Sequence, residues 1–272
     1  MANELKVAAV ALDIAPGDRT ANLELARQAV FALPDDVDVV VLPELFTTGF
    51  CADDDDFPAA VSESISGPTI QTIAQWARQR NMAIAGSFAA RVAHQHFNRA
   101  FFIEPSGEEA YYDKRHLFSR GGEQNVFAAG TVPFRTVRFR GWNISMIICY
   151  DLRFPVWSRN VGNDYDLLLV PANWPESRSY AWQHLLIARA IENQACVVGA
   201  NRCGRAGNDV YDHQSFIFNH LGQPATGSTP PPFLAQIPGV EVLIATLSLD
   251  QIQKYRRAFP AAADADSFSI TL

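Results

Sequence analysis

Cysteine is scarce in this chain and falls in no pattern: four residues, Cys51, Cys149, Cys196 and Cys203, among 272. They are too few and too scattered for a disulfide framework, and no pair has the close spacing of a zinc finger. Reduced thiols are the expectation, with no metal. The chain also lacks any apolar run near the roughly 20 residues that a membrane-crossing helix needs. Its first residues, Met1 to Lys6, carry no charged stretch leading into an apolar signal core. A basic stripe is missing too. The 22 Lys and Arg are dispersed among 29 Asp and Glu, giving a net charge of -7, which argues against a nucleic-acid footprint. No internal repeat breaks the chain up. These absences lead to the expectation of a cytoplasmic protein whose partners are small molecules, with neither nucleic acid nor membrane among them.

Apolar residues make up 48% of the sequence, enough for one well-buried core, and we read residues 1–272 as a single domain. Lys6 to Leu12 is β-rich, and Asp18 opens a helix with apolar positions from Leu23 to Leu33 at helical spacing. Val37 to Leu42 is apolar without a break from Val39, the pattern of a strand covered on both faces. Pro68 starts a second helix, and Ala83 to Phe88 is the next strand. Asn98 to Ile103 and Glu109 to Tyr112 are joined through Glu104-Pro105-Ser106-Gly107, a turn that predicts a hairpin and hence a mixed sheet. Arg135 to Phe139 pairs with Trp142 to Cys149. Leu167 to Val170, Ala195 to Ala200, Phe216 to Phe218 and Val242 to Leu247 are further strands, with helices from Tyr180 to Gln194 and Leu249 to Phe259. Strands flanked by helices, plus hairpins, predict a layered α/β sandwich. The acidic run Asp53 to Asp56 reads as a solvated loop and Thr229 to Pro232 as a stiff surface loop. The tail from Ala261 to Leu272 ends in Phe268-Ser269-Ile270, apolar enough to pack on a second subunit.

Three of these strands stop abruptly on chemistry-bearing residues: Val37 to Leu42 at Pro43-Glu44, Glu109 to Tyr112 at Asp113-Lys114, and Trp142 to Ile148 at Cys149. Each alone has a bland reading, as a loop carboxylate, a surface ammonium or a small buried hydrophobe. Together they supply what amide hydrolysis requires: a base, a cation where an oxyanion develops, and a nucleophile.

The segments Val41 to Phe46, Tyr112 to Phe118 and Cys149 to Pro155 resemble, in order, those of the nitrilase or carbon-nitrogen hydrolase superfamily, and the similarity runs from Lys6 to Ala258. The resemblance implies a four-layer α-β-β-α sandwich with mixed sheets, a homodimer, and a Glu44-Lys114-Cys149 triad that needs no cofactor. A second family glutamate, which orients the lysine, is matched by Glu123. Tyr150-Asp151 after the cysteine, in place of the Trp-Glu of nitrile-cleaving members, is similar to the amidase branches. Cys149 to Asn160, Ala172 to Pro175 and Ala188 to Gln194 resemble bacterial omega-amidases, implying hydrolysis of the ω-amide of a keto-dicarboxylic monoamide such as 2-oxoglutaramate.

Such a substrate carries a carboxylate, so an arginine is expected in the pocket. Arg178, Arg153 and Arg202 are the candidates. Tyr150, Phe46, Phe118 and Trp174 are the candidates to line it. Three other readings stay open: an amidase for an N-carbamoyl amino acid or deaminated glutathione, a Cys-His hydrolase using His116 or His184, and a binding module with a vestigial triad.

Overall fold

Consecutive apolar residues along the first strand, β1 (Glu4–Leu12), are explained by what covers its two faces. Val7 and Ala9 point into one apolar cluster, and Ala8 and Val10 into another, as the two-residue period of a strand requires. A computed structural model describes residues 3–50, 60–211, 214–225, 227–228 and 236–271. Cys51, the Asp53 to Asp56 run and the Thr229 to Pro232 stretch lie outside them.

Among the described residues, the larger sheet has seven strands. Their order is β13 (Gly227–Ser228), β14 (Val240–Ser248), β1, β2 (Val39–Val41), β3 (Ala83–Val92), β4 (Gln95–Ile103) and β5 (Glu109–Asp113). β1, β2 and β3 run parallel, and the flanking pairs are antiparallel. A nine-residue register between Glu4–Leu12 and Val240–Ser248 joins the first and last long strands in one sheet. The second sheet has the order β12 (Phe216–Phe218), β9 (Cys196–Asn201), β8 (Leu167–Ala172), β7 (Trp142–Met146) and β6 (Val137–Phe139), again parallel in the middle and antiparallel at its edges. A small hairpin, β10 (Gly204–Ala206) with β11 (Asp209–Tyr211), escaped the sequence reading because it carries no apolar run.

The helices α1 (Arg19–Ala32) and α2 (Pro68–Arg80) bury Ala26, Val30, Ile70, Ile73 and Trp76 against the outer face of the larger sheet. Asp18 caps α1 through a bond from the Ala21 N–H, and Pro68 occupies the first turn of α2, where its missing N–H costs nothing. A four-residue helix, α3 (Glu123–Val126), lies near the ends of the strands. α4 (Ser179–Asn193) sets Trp182, Leu186 and Ala190 on the second sheet, and α5 (Leu249–Ala258) adds Leu249 and Ile252. α4 comes close at Gly199 of β9, where a Cβ would stand 2.6 Å from Leu186 Cδ1. Residues of both sheets, such as Val39, Ala85 and Phe102 on one and Ile144, Leu168 and Val197 on the other, share the central core. Each fully buried large apolar side chain contributes about 1.5–3 kcal/mol. The layers are therefore helix, sheet, sheet, helix, as the family resemblance implied.

One expectation needs correction here. The strand predicted from Trp142 to Cys149 stops at Met146, and Cys149 instead opens a 3-10 turn through Arg153. Ile147 still donates to the Leu169 carbonyl at 3.1 Å, but the backbone then bends, because Cys149 has a φ of 43° that no strand accommodates. In the tail, Phe268 and Ile270 are exposed.

Candidate active site

The chain segments that follow β2, β5 and β7 bring Glu44, Lys114 and Cys149 to one place. After β2 the backbone keeps riding on β3, with Leu42 N–H donating to Ala85 O at 2.8 Å and Phe46 N–H to Ser87 O at 3.1 Å. Between them Leu45 takes the left-handed φ of 46°, held by its N–H bond to Ser87 Oγ (2.8 Å), and Glu44 is turned inward. Lys114 follows β5 directly. Its N–H donates to Asn98 O and its carbonyl accepts from Gly130 N–H, both at 2.9 Å. Gly130 has to be glycine here, since a Cβ would collide with the Asp113 carbonyl. Both Leu45 and Cys149 are non-glycine residues at positive φ, a strained backbone that persists where the surroundings overdetermine it.

Lys114, only 2% exposed, donates to Glu44 Oε1 at 2.7 Å and to Glu123 Oε2 and Oε1 at 2.8 and 3.0 Å. Asn98 Nδ2 bridges the same carboxylates, at 2.7 Å to Glu44 and 3.0 Å to Glu123. The backbone completes the set: Asn173 N–H donates to Glu44 Oε2 (2.8 Å) and Phe118 N–H to Glu123 Oε2 (2.7 Å). Burial opposes the charge on Lys114, but Glu123 and Glu44 outweigh it and hold its pKa well above the ordinary lysine value. Burial pushes the Glu123 carboxyl up, Lys114 pulls it back, and the nearby Glu44 pushes it up again. The Cys149 thiol is raised well above its usual range, first by burial and then by Glu44, to which it is hydrogen-bonded, with Lys114 opposing. Its Sγ also lies 3.9 Å from the Asn173 carbonyl. A protonated nucleophile thus faces a carboxylate acceptor, with an ammonium beside both.

These groups open on a cavity of about 760 Å³. Glu44, Lys114, Glu123, Cys149, Tyr150, Phe118, Trp174 and Arg178 all line it, as do Arg153 and Arg202. Phe46 does not. It is fully buried in the core under the larger sheet, with its ring 6.0 Å from that of Phe101, because the turn at Leu45 that sends Glu44 inward sends Phe46 the other way. The two histidines of the Cys-His reading also miss the cavity. His116 is stacked on Phe154 with its Nδ1 bonded to Asp151 at 2.8 Å, and His184 is exposed on α4 beside Tyr180.

A family model described as carbon-nitrogen hydrolase matches residues 6–257. The chain belongs to the carbon-nitrogen hydrolase family. This hydrolase is 43% identical over 234 residues to the omega-amidase YafV of Escherichia coli K12, covering 86% of each chain. It is 31% identical over 224 residues to the 2-oxoglutaramate amidase of Bacillus subtilis 168, covering 80% of this chain and 83% of that one. The crystal structure of XC1258 from Xanthomonas campestris, a CN-hydrolase superfamily protein with an arsenic adduct in its active site, superposes with a TM-score of 0.88 at 37% identity. That match covers 98% of this chain and 99% of the other.

Two residues of the hydrolase's site were missed in the sequence. Asn98 is one; an asparagine at the head of the predicted run Asn98 to Ile103 was the available signal, since a buried amide needs partners. Asp151 is the other. Fully buried, its Oδ1 accepts from His116 N–H and its Oδ2 from Tyr112 OH (2.7 Å) and Ile148 N–H (3.0 Å). It ties the segment after β5, which carries Lys114, to the turn that carries Cys149. No group of His, Cys, Asp and Glu among the described residues could hold a metal ion.

Proposed function

We propose that this carbon-nitrogen hydrolase cleaves the ω-amide of a small keto-dicarboxylic monoamide, such as 2-oxoglutaramate, to the keto acid and ammonia. The observation that carries the chemistry is the buried cluster in which Lys114 bridges Glu44 and Glu123 beside a protonated Cys149. The chain's 43% identity to the omega-amidase of E. coli, over 86% of both chains, supports the substrate.

Cys149 Sγ attacks the amide carbon while Glu44 takes the thiol proton. Concerted transfer suits a thiol that burial and Glu44 keep neutral. The carbon–sulfur bond forms, and the charge on the former carbonyl oxygen is met by the Lys114 ammonium and the Tyr150 N–H. The carbon–nitrogen bond then breaks as Glu44 gives its proton to the departing nitrogen, leaving ammonia and a thioester. Water attacks the thioester with Glu44 accepting its proton, and the carbon–sulfur bond breaks to return thiol and free acid. Glu123 moves no proton; it is a positioning residue that holds Lys114. No cofactor enters. We further read residues 1–272 as one cytoplasmic domain acting as a homodimer, in which exposed Tyr180, Ile191, Phe259, Phe268 and Ile270 find cover; a monomer by sedimentation at micromolar concentration would rule that out.

The test is release of 2-oxoglutarate and ammonia from 2-oxoglutaramate by wild type and Cys149→Ala, with glutamine, an N-carbamoyl amino acid, deaminated glutathione and a simple nitrile in parallel. Turnover of 2-oxoglutaramate that vanishes in the variant is expected. Cys149-dependent turnover of a different amide would retain the mechanism and replace the substrate.

A further inference from the structure

Cys149 and Tyr150 supply the nucleophile and the backbone N–H offered to the oxyanion, and one buried side chain brackets them both. Asp151 donates its own N–H to the Ile148 carbonyl at 2.9 Å and accepts the Ile148 N–H on its Oδ2 at 3.0 Å. These two bonds close a ring around Cys149 and Tyr150. Within it Cys149 keeps its φ of 43°, a left-handed conformation that a residue with a Cβ disfavours and that its surroundings must impose.

The same carboxylate holds the chain on both sides of Lys114. Before it, Tyr112 donates its hydroxyl to Asp151 Oδ2 at 2.7 Å and accepts from the Trp157 indole N–H at 2.8 Å. After it, Arg115 N–H donates to the Tyr112 hydroxyl at 3.1 Å, and His116 meets Asp151 Oδ1 with its N–H and its ring Nδ1, each at 2.8 Å. The His116 ring lies 3.7 Å over Phe154 and so has no room to swing away. With the ring proton on Nδ1, every group around Asp151 is a donor, and only an ionised carboxylate accepts on both oxygens. Asp151 is fully buried and does not line the cavity, so it touches no substrate. Its bonds converge instead on the two segments that meet the developing charge.

We propose that Asp151 is a positioning residue that sets the Cys149 thiol, the Tyr150 N–H and the Lys114 ammonium at the mutual distances the tetrahedral intermediate requires. This rests on the amidase reading above and deepens it: Asp151 serves the transition state and leaves binding of the amide to other groups. A displacement of about 1 Å in groups aimed at a developing charge costs about a hundredfold in rate, while the uncharged amide of the ground state is little affected.

The test uses whichever amide of the panel above wild type turns over fastest, so a wrong substrate leaves it intact. Asp151→Asn keeps the shape but sets an NH2 group against the N–H of Ile148 or of His116. It should lower kcat about a hundredfold while KM moves by less than about threefold. Tyr112→Phe removes one bond to the same carboxylate and should lower kcat about tenfold, again with KM nearly unchanged; it carries the test if Asp151→Asn does not fold. A second readout needs no turnover. An aldehyde in place of the amide, 2,5-dioxopentanoate in the case of 2-oxoglutaramate, accepts Cys149 Sγ at its carbonyl carbon while the thiol proton passes to the oxygen. The resulting thiohemiacetal is tetrahedral, so its inhibition constant should rise in step with the fall in kcat, whereas binding of the product acid should stay as in wild type. Wild type inert on every amide would overturn the amidase reading, and the aldehyde comparison would then decide the role of Asp151 by itself. Variants that keep kcat, that lose kcat and affinity for the product acid in parallel, or that bind the aldehyde as wild type does would each overturn the positioning role.

Discussion

At the floor of the cavity every charge has a partner. Lys114 bonds two carboxylates, Asn98 bridges the same pair, and backbone N–H groups close the remaining positions. At the rim, Arg153 and Arg178 have aromatic faces beneath them and no acid beside them among the described residues. The contrast separates two tasks. A charge taken out of water is tolerable only if its bonds are made in advance, so the floor is fixed before substrate arrives. A cation near solvent can stay unpaired at little cost and reserve its bonds for a ligand.

The largest expected effect comes from breaking the floor at its nucleophile. Cys149→Ala should lower kcat by at least about 10⁴-fold while thermal unfolding stays close to wild type, since a small buried side chain replaces another. Lys114→Met strikes both chemistry and stability. Loss of one oxyanion donor costs at least about a hundredfold in kcat, and two carboxylates left without their cation cost about 3–5 kcal/mol of stability. Steady-state kinetics and chemical denaturation read the two separately, and the pair should be far larger than any loss of stability at the rim, where Arg178→Gln should stay within about 0.5 kcal/mol.

Alkaline pH sharpens the comparison without mutation. Both Cys149 and Lys114 have folded pKa values raised above their ordinary ones. Each therefore contributes stability that is fully present below its unfolded value, about 8.5 for the thiol and 10.4 for the ammonium, and that declines as pH rises toward the folded value. The unfolding midpoint should fall above about pH 8.5, and Cys149→Ala should delay the onset. A midpoint that is flat from pH 8 to 11 would contradict this account of the floor.

A smaller loss than that of Lys114→Met is expected for Phe46→Leu, at about 1 kcal/mol of stability by denaturant titration. KM should not change, because this ring packs on Phe101 rather than on substrate. A clear rise in KM would put Phe46 back at the cavity wall.

Much of this architecture was legible in the chain. β2 announced itself as an unbroken apolar run, β1, β3 and β9 as short β-rich or largely apolar stretches, and α1 and α2 by apolar spacing and their caps, because these signals are local and the layers on both sides demand them. Glu44, Lys114 and Cys149 stood out because each follows a strand. The reading failed where the backbone turns without a sequence mark. Nothing in Leu45 or Cys149 advertises a positive φ, so Phe46 was assigned to the wrong side and β7 was drawn three residues too long.

What the sequence determined by itself was the order of elements, the two-sided burial of the central strands and the kinds of groups available for catalysis. Those follow from side-chain polarity and from periodicities of two and 3.6 residues. Only the tertiary structure decided that Lys114 lies between Glu44 and Glu123, that Asp151 ties Tyr112 and His116 to the cysteine turn, and that Arg202 donates to the Ile14 carbonyl while Arg153 and Arg178 rest on the rings of Trp174 and Phe118. Those partners stand from nine to 188 residues apart in the chain. A hydrogen bond requires approach to within about 3 Å, and only the packing of the two sheets sets such distances.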